Sequence, residues 1–290
     1  MRNFVIFFFS FLLLANLALQ LAFTPAPPNS SQSASTPQPD PTPGINYLFS
    51  GTQLSSLPQQ VSFTYQGLAA DITGEIQLIR PYSGGPTGPS PDIAYPTHLR
   101  FYFNDFTSIS PSQSGWKPHL RIYPVNDYRS IYGADPLQQA TPTINNIIDR
   151  LQVILVNRPS TFEDDIPFLP PQHNAQIFKA QIKYLDFKNG SGIRFITQHA
   201  LGGPISNQFI FYSFQGLTSD GQYYVALFYP VSTQILANMD NGSSFNTLAD
   251  FQSHVQETTQ RLNALSANNF TPNLRLLDEL TQSLQIIPTP

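Results

Sequence analysis

Four segments decide the fold: IFKAQIKYLDF at 177–187, GIRFITQHAL at 192–201, QFIFYSFQGL at 208–217 and QYYVALFYPV at 222–231. Each is rich in aromatic and β-branched residues, the composition of a strand. Asn189-Gly190 separates the first pair and Ser219-Asp220-Gly221 the last. Both are hairpin-turn chemistry, because such turns need residues that tolerate a left-handed backbone. Strands joined by short turns run antiparallel, so the four are read as a meander.

Upstream, alternating apolar residues over 61–68 and the run 72–79 are read as a hairpin closed near Asp71. After a Pro/Gly-rich loop at 80–96, THLRFYFNDF (97–106) and HLRIY (119–123) add two strands. The two share His-Leu-Arg-x-Tyr, and this reading places His and Arg on opposite faces of each strand. Residues 62–81 and 211–230 also align without gaps through aromatic-Gln-Gly-Leu and a following Asp, which reads as a duplicated hairpin or as convergence of cheap turn chemistry.

Two helical regions flank the strands. Thr141-Pro142 opens a helix to Asn157, with Ile144, Ile147, Ile148, Leu151, Ile154 and Leu155 on one face. Near the C-terminus, Leu248, Phe251, Val255, Leu262 and Leu265 form a stripe behind a Thr247/Asp250 capping box. Thr271-Pro272 opens a second stripe of Leu274, Leu277, Thr281, Leu284 and Ile287. The expected fold is therefore α+β: a mostly antiparallel sheet of about eight strands, one mid-chain helix and a C-terminal helical hairpin. Residues 45–290 are read as a single domain, with two lobes joined near 159–175 as the alternative.

Composition narrows the function. Charged residues make up 11% of the 290, against about 25% in a typical globular chain. The 14 Lys and Arg form no basic run and the net charge is −4, so nucleic acid is not an expected partner. Cysteine is absent, which excludes disulfides, thiolate metal sites and lipid attachment through cysteine. Met1-Arg2-Asn3 followed by the apolar run 4–23 has the layout of a signal peptide or an uncleaved N-terminal membrane anchor. Residues 24–44, TPAPPNSSQSASTPQPDPTPG, read as a Pro/Ser/Thr-rich disordered linker or stalk. The expected location is extracytoplasmic, secreted or held on the outer face of the cytoplasmic membrane through residues 4–23.

YLDFKNGSGIRF from Tyr184, FQGLTSDGQYYV from Phe214 and the final Phe270-Thr-Pro-x-Leu resemble a family of uncharacterised exported bacterial proteins with a signal or anchor, a Pro-rich spacer and one α+β domain. The resemblance spans roughly residues 60–287 and implies a bacterial surface protein. It implies no activity and no catalytic residues.

Motifs for chemistry are sparse. Gly190-Ser191-Gly192 is too short for a nucleophile elbow and reads as a turn. Gly84-Gly85 and Gly202-Gly203 lead into proline, not into helices, and are also read as turns. His98 and His119 are the pair most open to a metal, with two half-buried strand histidines as the plainer reading; His173, His199 and His254 stand apart. Glu163-Asp164-Asp165 lacks the spacing of a calcium loop and reads as solvated. Glu75 is the acid that keeps glycoside hydrolysis open. The Asn-x-Ser/Thr strings at Asn29, Asn189, Asn241 and Asn269 are expected bare in a bacterial protein. Tyr82, Tyr95, Trp116 and Tyr132 fall in or near Pro/Gly-rich loops and are the candidate surface-binding residues. No catalytic residue, metal site or cofactor is assigned. The expected function is a non-catalytic surface module binding an envelope component, a polysaccharide or a protein partner. The alternative is an extracytoplasmic glycan hydrolase using carboxylates that the fold assembles.

Overall fold

The computed structural model describes residues 44–48, 56–81, 94–105, 117–131, 140–172, 174–237 and 245–289. The apolar leader, nearly all of the Pro-rich segment, Tyr82, Gly84-Gly85, Trp116, Tyr132, His173, Asn29 and Asn241 lie outside them.

The chain begins with strands β1 (Gly44–Leu48), β2 (Gln60–Thr64), β3 (Asp71–Gln77), β4 (His98–Asn104) and β5 (His119–Pro124). Helices α1 (Val125–Ser130) and α2 (Ala140–Asn157) follow. Next come β6 (Ala175–Gln176), β7 (Ala180–Phe187), β8 (Gly190–Thr197), β9 (His199–Ala200), β10 (Phe211–Thr218), β11 (Tyr223–Pro230) and β12 (Ser232–Thr233). The chain closes with α3 (Leu248–Asn263), β13 (Phe270–Thr271), α4 (Leu274–Ser283) and β14 (Gln285–Ile287).

The architecture is α+β around a seven-stranded antiparallel sheet ordered β3-β4-β5-β11-β10-β8-β7. The hairpins β7–β8 and β10–β11 sit where the Asn-Gly and Ser-Asp-Gly turns put them. A smaller antiparallel sheet, β1-β2-β14, forms a second layer.

The expected hairpin over 61–79 is not formed. β2 pairs with β1 and β14, whereas β3 pairs with β4 in the other sheet. The chain changes layers at a tight turn, where Leu68 N–H donates to the Tyr65 carbonyl at 3.0 Å and Gly67 adopts φ +75°. A left-handed φ suits glycine. In the echoing segment the same Gln-Gly-Leu lies inside β10, with Gly216 paired to Gly192. The two echoes thus adopt different structures, and the duplicated-hairpin reading fails.

The C-terminal helices also differ from expectation. The Thr247/Asp250 capping box is present on α3. α4 starts later than Thr271-Pro272: Asn273 caps it by accepting from Arg275 N–H at 2.9 Å, and Thr271 belongs to β13. α4 ends at Ser283, and Gln285–Ile287 pair with β2 instead of extending the stripe. The reason is local: Ile286 and Ile287 are β-branched, and the residue before Pro288 is biased away from the helical region. α3 and α4, separated by a 3-10 turn and β13, both pack on β7.

The large sheet has two covered faces. One carries Leu99, Phe101, Leu120, Ile122, Val225 and Leu227, packed against the small sheet, Leu262 of α3, and α4. Arg194 of β8 projects into this layer and donates through Nε to Asp278 of α4 at 3.0 Å. Asp278 also accepts from Lys183 Nζ at 2.9 Å and Tyr212 Oη at 3.2 Å. Arg194 also donates to the Gln181 carbonyl.

The other face is covered by α1, α2 and a strap, residues 158–172. The Pro-rich connection is this strap: it lies on the sheet with Ile166, Phe168 and Leu169 buried. Gln176 pins it by accepting from Ile166 N–H at 3.0 Å, and Gln215 by accepting from Leu169 N–H at 3.1 Å. Tyr184 Oη adds a bond to the Pro159 carbonyl at 2.8 Å.

Candidate functional site

The register of the large sheet puts one residue from each strand into a single row on the strap face. The row runs Glu75, Arg100, Arg121, Ala226, Gln215, Ile193, Tyr184. Two arginines are therefore directly opposite each other on β4 and β5. Like charges in that position repel, so a row of this kind is not what packing alone selects.

The expectation that His and Arg occupy opposite faces of β4 and β5 is overturned. His98 and Arg100, like His119 and Arg121, are two residues apart, and side chains two apart in a strand share a face. His119 stands opposite Tyr102 in the adjacent row, and His98 stacks on Tyr123 with ring centroids 4.4 Å apart.

Both histidines are anchored to the backbone. Each uses Nδ1 on a backbone carbonyl two residues upstream, His98 on Pro96 at 2.8 Å and His119 on Lys117 at 2.7 Å. Burial, with the arginines adding to it, lowers the His98 pKa to about 3 and pushes His119 well below 6.5. Both rings are therefore neutral near pH 7. Among the described residues no group of three metal-binding side chains exists.

The arginines remain charged. Burial lowers the Arg100 pKa, and the charge of Arg121 lowers it further. Burial also acts to lower Arg121, but Tyr123, whose hydroxyl accepts from its Nη1 at 3.1 Å, tips the balance upward. The Arg100 guanidinium carbon lies 4.2 Å from the centroid of the Tyr102 ring. The Nε atoms of both arginines are buried with no hydrogen-bond partner among the described residues. A buried donor left unmade costs about 1–3 kcal/mol.

Arg121 lines a cavity of about 340 Å³ between the sheet and the strap, within the size range of small-molecule sites. Ala226 beside it leaves the space open, and Tyr95, His119, Gln215, Gln172 and Asn174 contribute to the walls. A second cavity of about 240 Å³ shares Gln172, Asn174 and Phe228 with the first and is lined further by His199, Phe209 and Phe211. Between them runs a row of rings: His119 stacks on Phe228 at 5.4 Å, Phe228 meets Phe211 at 4.5 Å, and Phe211 stacks on His199 at 5.9 Å. Phe209, at the second cavity, is 52% exposed.

No family model, curated protein or solved structure matches the chain. The site must be read from its own geometry.

Of the four candidate aromatics, Tyr95 is described. It is half-buried, bridges to Arg80 through the backbone, stacks edge-on against His98 at 5.2 Å and lines the larger cavity. Glu75 faces Arg100 across the β3–β4 pair. No Asp or Glu among the described residues lines either cavity. Ser191 sits in β8, where Gly190 and Gly192 are held by the rings of Phe187 and Phe214. Asp164 pairs with Arg150 at 3.5 Å, and its carbonyl accepts from Lys179 at 2.8 Å. Asn189 brackets β14 through the Ile286 backbone, and Asn269 accepts from Ser266.

Sequence reasoning missed the arginine pair. The signal was present in the repeated His-Leu-Arg, whose two-residue spacing puts both arginines on the histidine face.

Proposed function

We propose that the chain is a non-catalytic, extracytoplasmic binding module that takes an envelope component or polysaccharide into the cleft between the sheet and the strap. The observation that carries the proposal is Arg121: a charged side chain that lines a ligand-sized cavity, its Nε buried without a hydrogen-bond partner among the described residues. The aromatic row beside it supplies apolar surface, and Gln172 and Asn174 supply amides, the mixture that small-ligand sites use. Export rests on residues 1–44, and the bacterial surface family rests on the strings quoted above. Binding is favoured over glycoside hydrolysis because that reaction needs two carboxylates across the scissile bond. The described lining holds none.

The test is thermal unfolding of the full chain against peptidoglycan fragments and oligosaccharides, for the native protein and for Ala226→Leu. A ligand at 100 times its Kd stabilises by about 2.7 kcal/mol. The shift should vanish in Ala226→Leu, which fills the cavity without altering a charge. A ligand that binds Ala226→Leu equally well is bound elsewhere and contradicts the assignment.

A further inference from the structure

We infer that the cleft recognises an anionic saccharide, with the oxyanion at Arg121 and a sugar face against the Phe211–Phe228 wall; this rests on the binding reading above. The charge argument comes first. Arg100 and Arg121 are neighbours in one row, and Glu75 is the acid that flanks them there, on the far side of Arg100. Arg121 is followed in the row by Ala226 and Gln215, which carry no charge. Among the described residues of this row the pair is thus one negative charge short, on the side where Ala226 and Gln215 line the cavity.

The chemistry of the missing charge follows from the donor. A guanidinium offers N–H groups in a planar fork that matches a carboxylate or a phosphate. His119, held neutral with Nδ1 on a carbonyl, adds no competing charge beside it.

The remainder of the ligand follows from the walls. A saccharide has an apolar ring face and a hydroxyl edge. Phe228 lines both cavities and Phe211 the smaller one, with their ring centroids 4.5 Å apart. Gln172 and Asn174, shared by both cavities, add amides to the lining. The two cavities, of about 340 and 240 Å³, share Gln172, Asn174 and Phe228 in their linings. A nucleic acid does not fit these facts, because its backbone needs an extended basic surface and this chain carries a net charge of −4.

The experiment is calorimetric titration of the full chain with three probes: digalacturonic acid, its methyl ester and mannose 6-phosphate. Binding of digalacturonic acid at least about tenfold tighter than its ester supports a carboxylate at Arg121; preferential binding of mannose 6-phosphate supports a phosphate. In either case Arg121→Gln should weaken the charged probe about tenfold or more. The ester should lose less than the acid, and a urea midpoint near that of the native protein distinguishes this from a general loss of fold. Equal binding of acid and ester, or binding of the acid that ignores Arg121→Gln, overturns the inference and leaves the cleft as a neutral-sugar site. No binding by any of the three overturns it also. The broader reading then stands or falls separately, on whether Ala226→Leu blocks a ligand from the wider panel.

Discussion

Arg100 and Arg121 occupy directly opposed positions on β4 and β5. Their Nε atoms are buried and unpartnered among the described residues. A sheet gains stability from cross-strand pairs that attract, and opposed like charges work against it. Natural sequences tolerate such conflicts where a site needs them. The pair therefore marks the place where this sheet departs from what folding alone favours, and the cavity lined by Arg121 lies there.

Acid should weaken the fold through the histidines beside this pair. Burial lowers the His98 pKa to about 3 and pushes His119 well below its ordinary 6.5. Above about pH 6.5 both rings are neutral folded or unfolded, and their contribution is complete. Below it, the unfolded chain takes up protons that the folded chain refuses, so stability falls as the pH drops toward 3. His98 contributes a slope of up to about 1.4 kcal/mol per pH unit in that window, and His119 acts in the same direction. Urea midpoints measured across it should give a shallower slope for His98→Asn than for the native protein. Equal slopes would mean that His98 titrates normally.

Asp278 joins α4 to the sheet through Arg194, Lys183 and Tyr212. Asp278→Ala would leave the Arg194 charge buried and unanswered, at a cost of about 3–5 kcal/mol. Replacing both partners with apolar residues, Arg194→Met with Asp278→Leu, should recover much of that loss. Urea denaturation of the two variants beside the native protein checks both statements. A double variant as weak as Asp278→Ala would show that the site needs the ion pair itself.

Gly192 is required for packing. A Cβ there would strike the Phe214 ring and lie 2.7 Å from the Gln215 carbonyl oxygen. Gly192→Ala should therefore cost about 1–3 kcal/mol through overpacking. Gly202→Ala, where a Cβ meets nothing within 4 Å, is the matched control and should change the unfolding temperature little.

Local signals carried much of the fold. The hairpins β7–β8 and β10–β11 follow from strand composition and turn residues, and the α3 cap from Thr247 and Asp250. What was not legible depends on distant partners. β2 and β3 look like a hairpin in sequence, but the turn at Gly67 sends them to different layers. Ile287 continues an apolar stripe in sequence, yet β2 captures it as a strand. The site divides the same way. Tyr95 was among the candidate residues and lines the cleft. The opposition of Arg100 and Arg121 is a matter of register between β4 and β5, which composition does not encode.

The most direct measurement is a double-mutant cycle on the arginine pair: native protein, Arg100→Met, Arg121→Met and the double variant, unfolded in urea without ligand and with saturating digalacturonic acid. Such a cycle isolates the pair from effects on other neighbours, such as the Tyr123 hydroxyl. Without ligand the coupling should be repulsive, by about 0.5–1 kcal/mol. With ligand the repulsion should shrink, because the oxyanion held at Arg121 then offsets the charge that Arg100 meets. A coupling that is zero or attractive without ligand, and unmoved by it, would contradict an arginine pair held against its own repulsion to bind an anion.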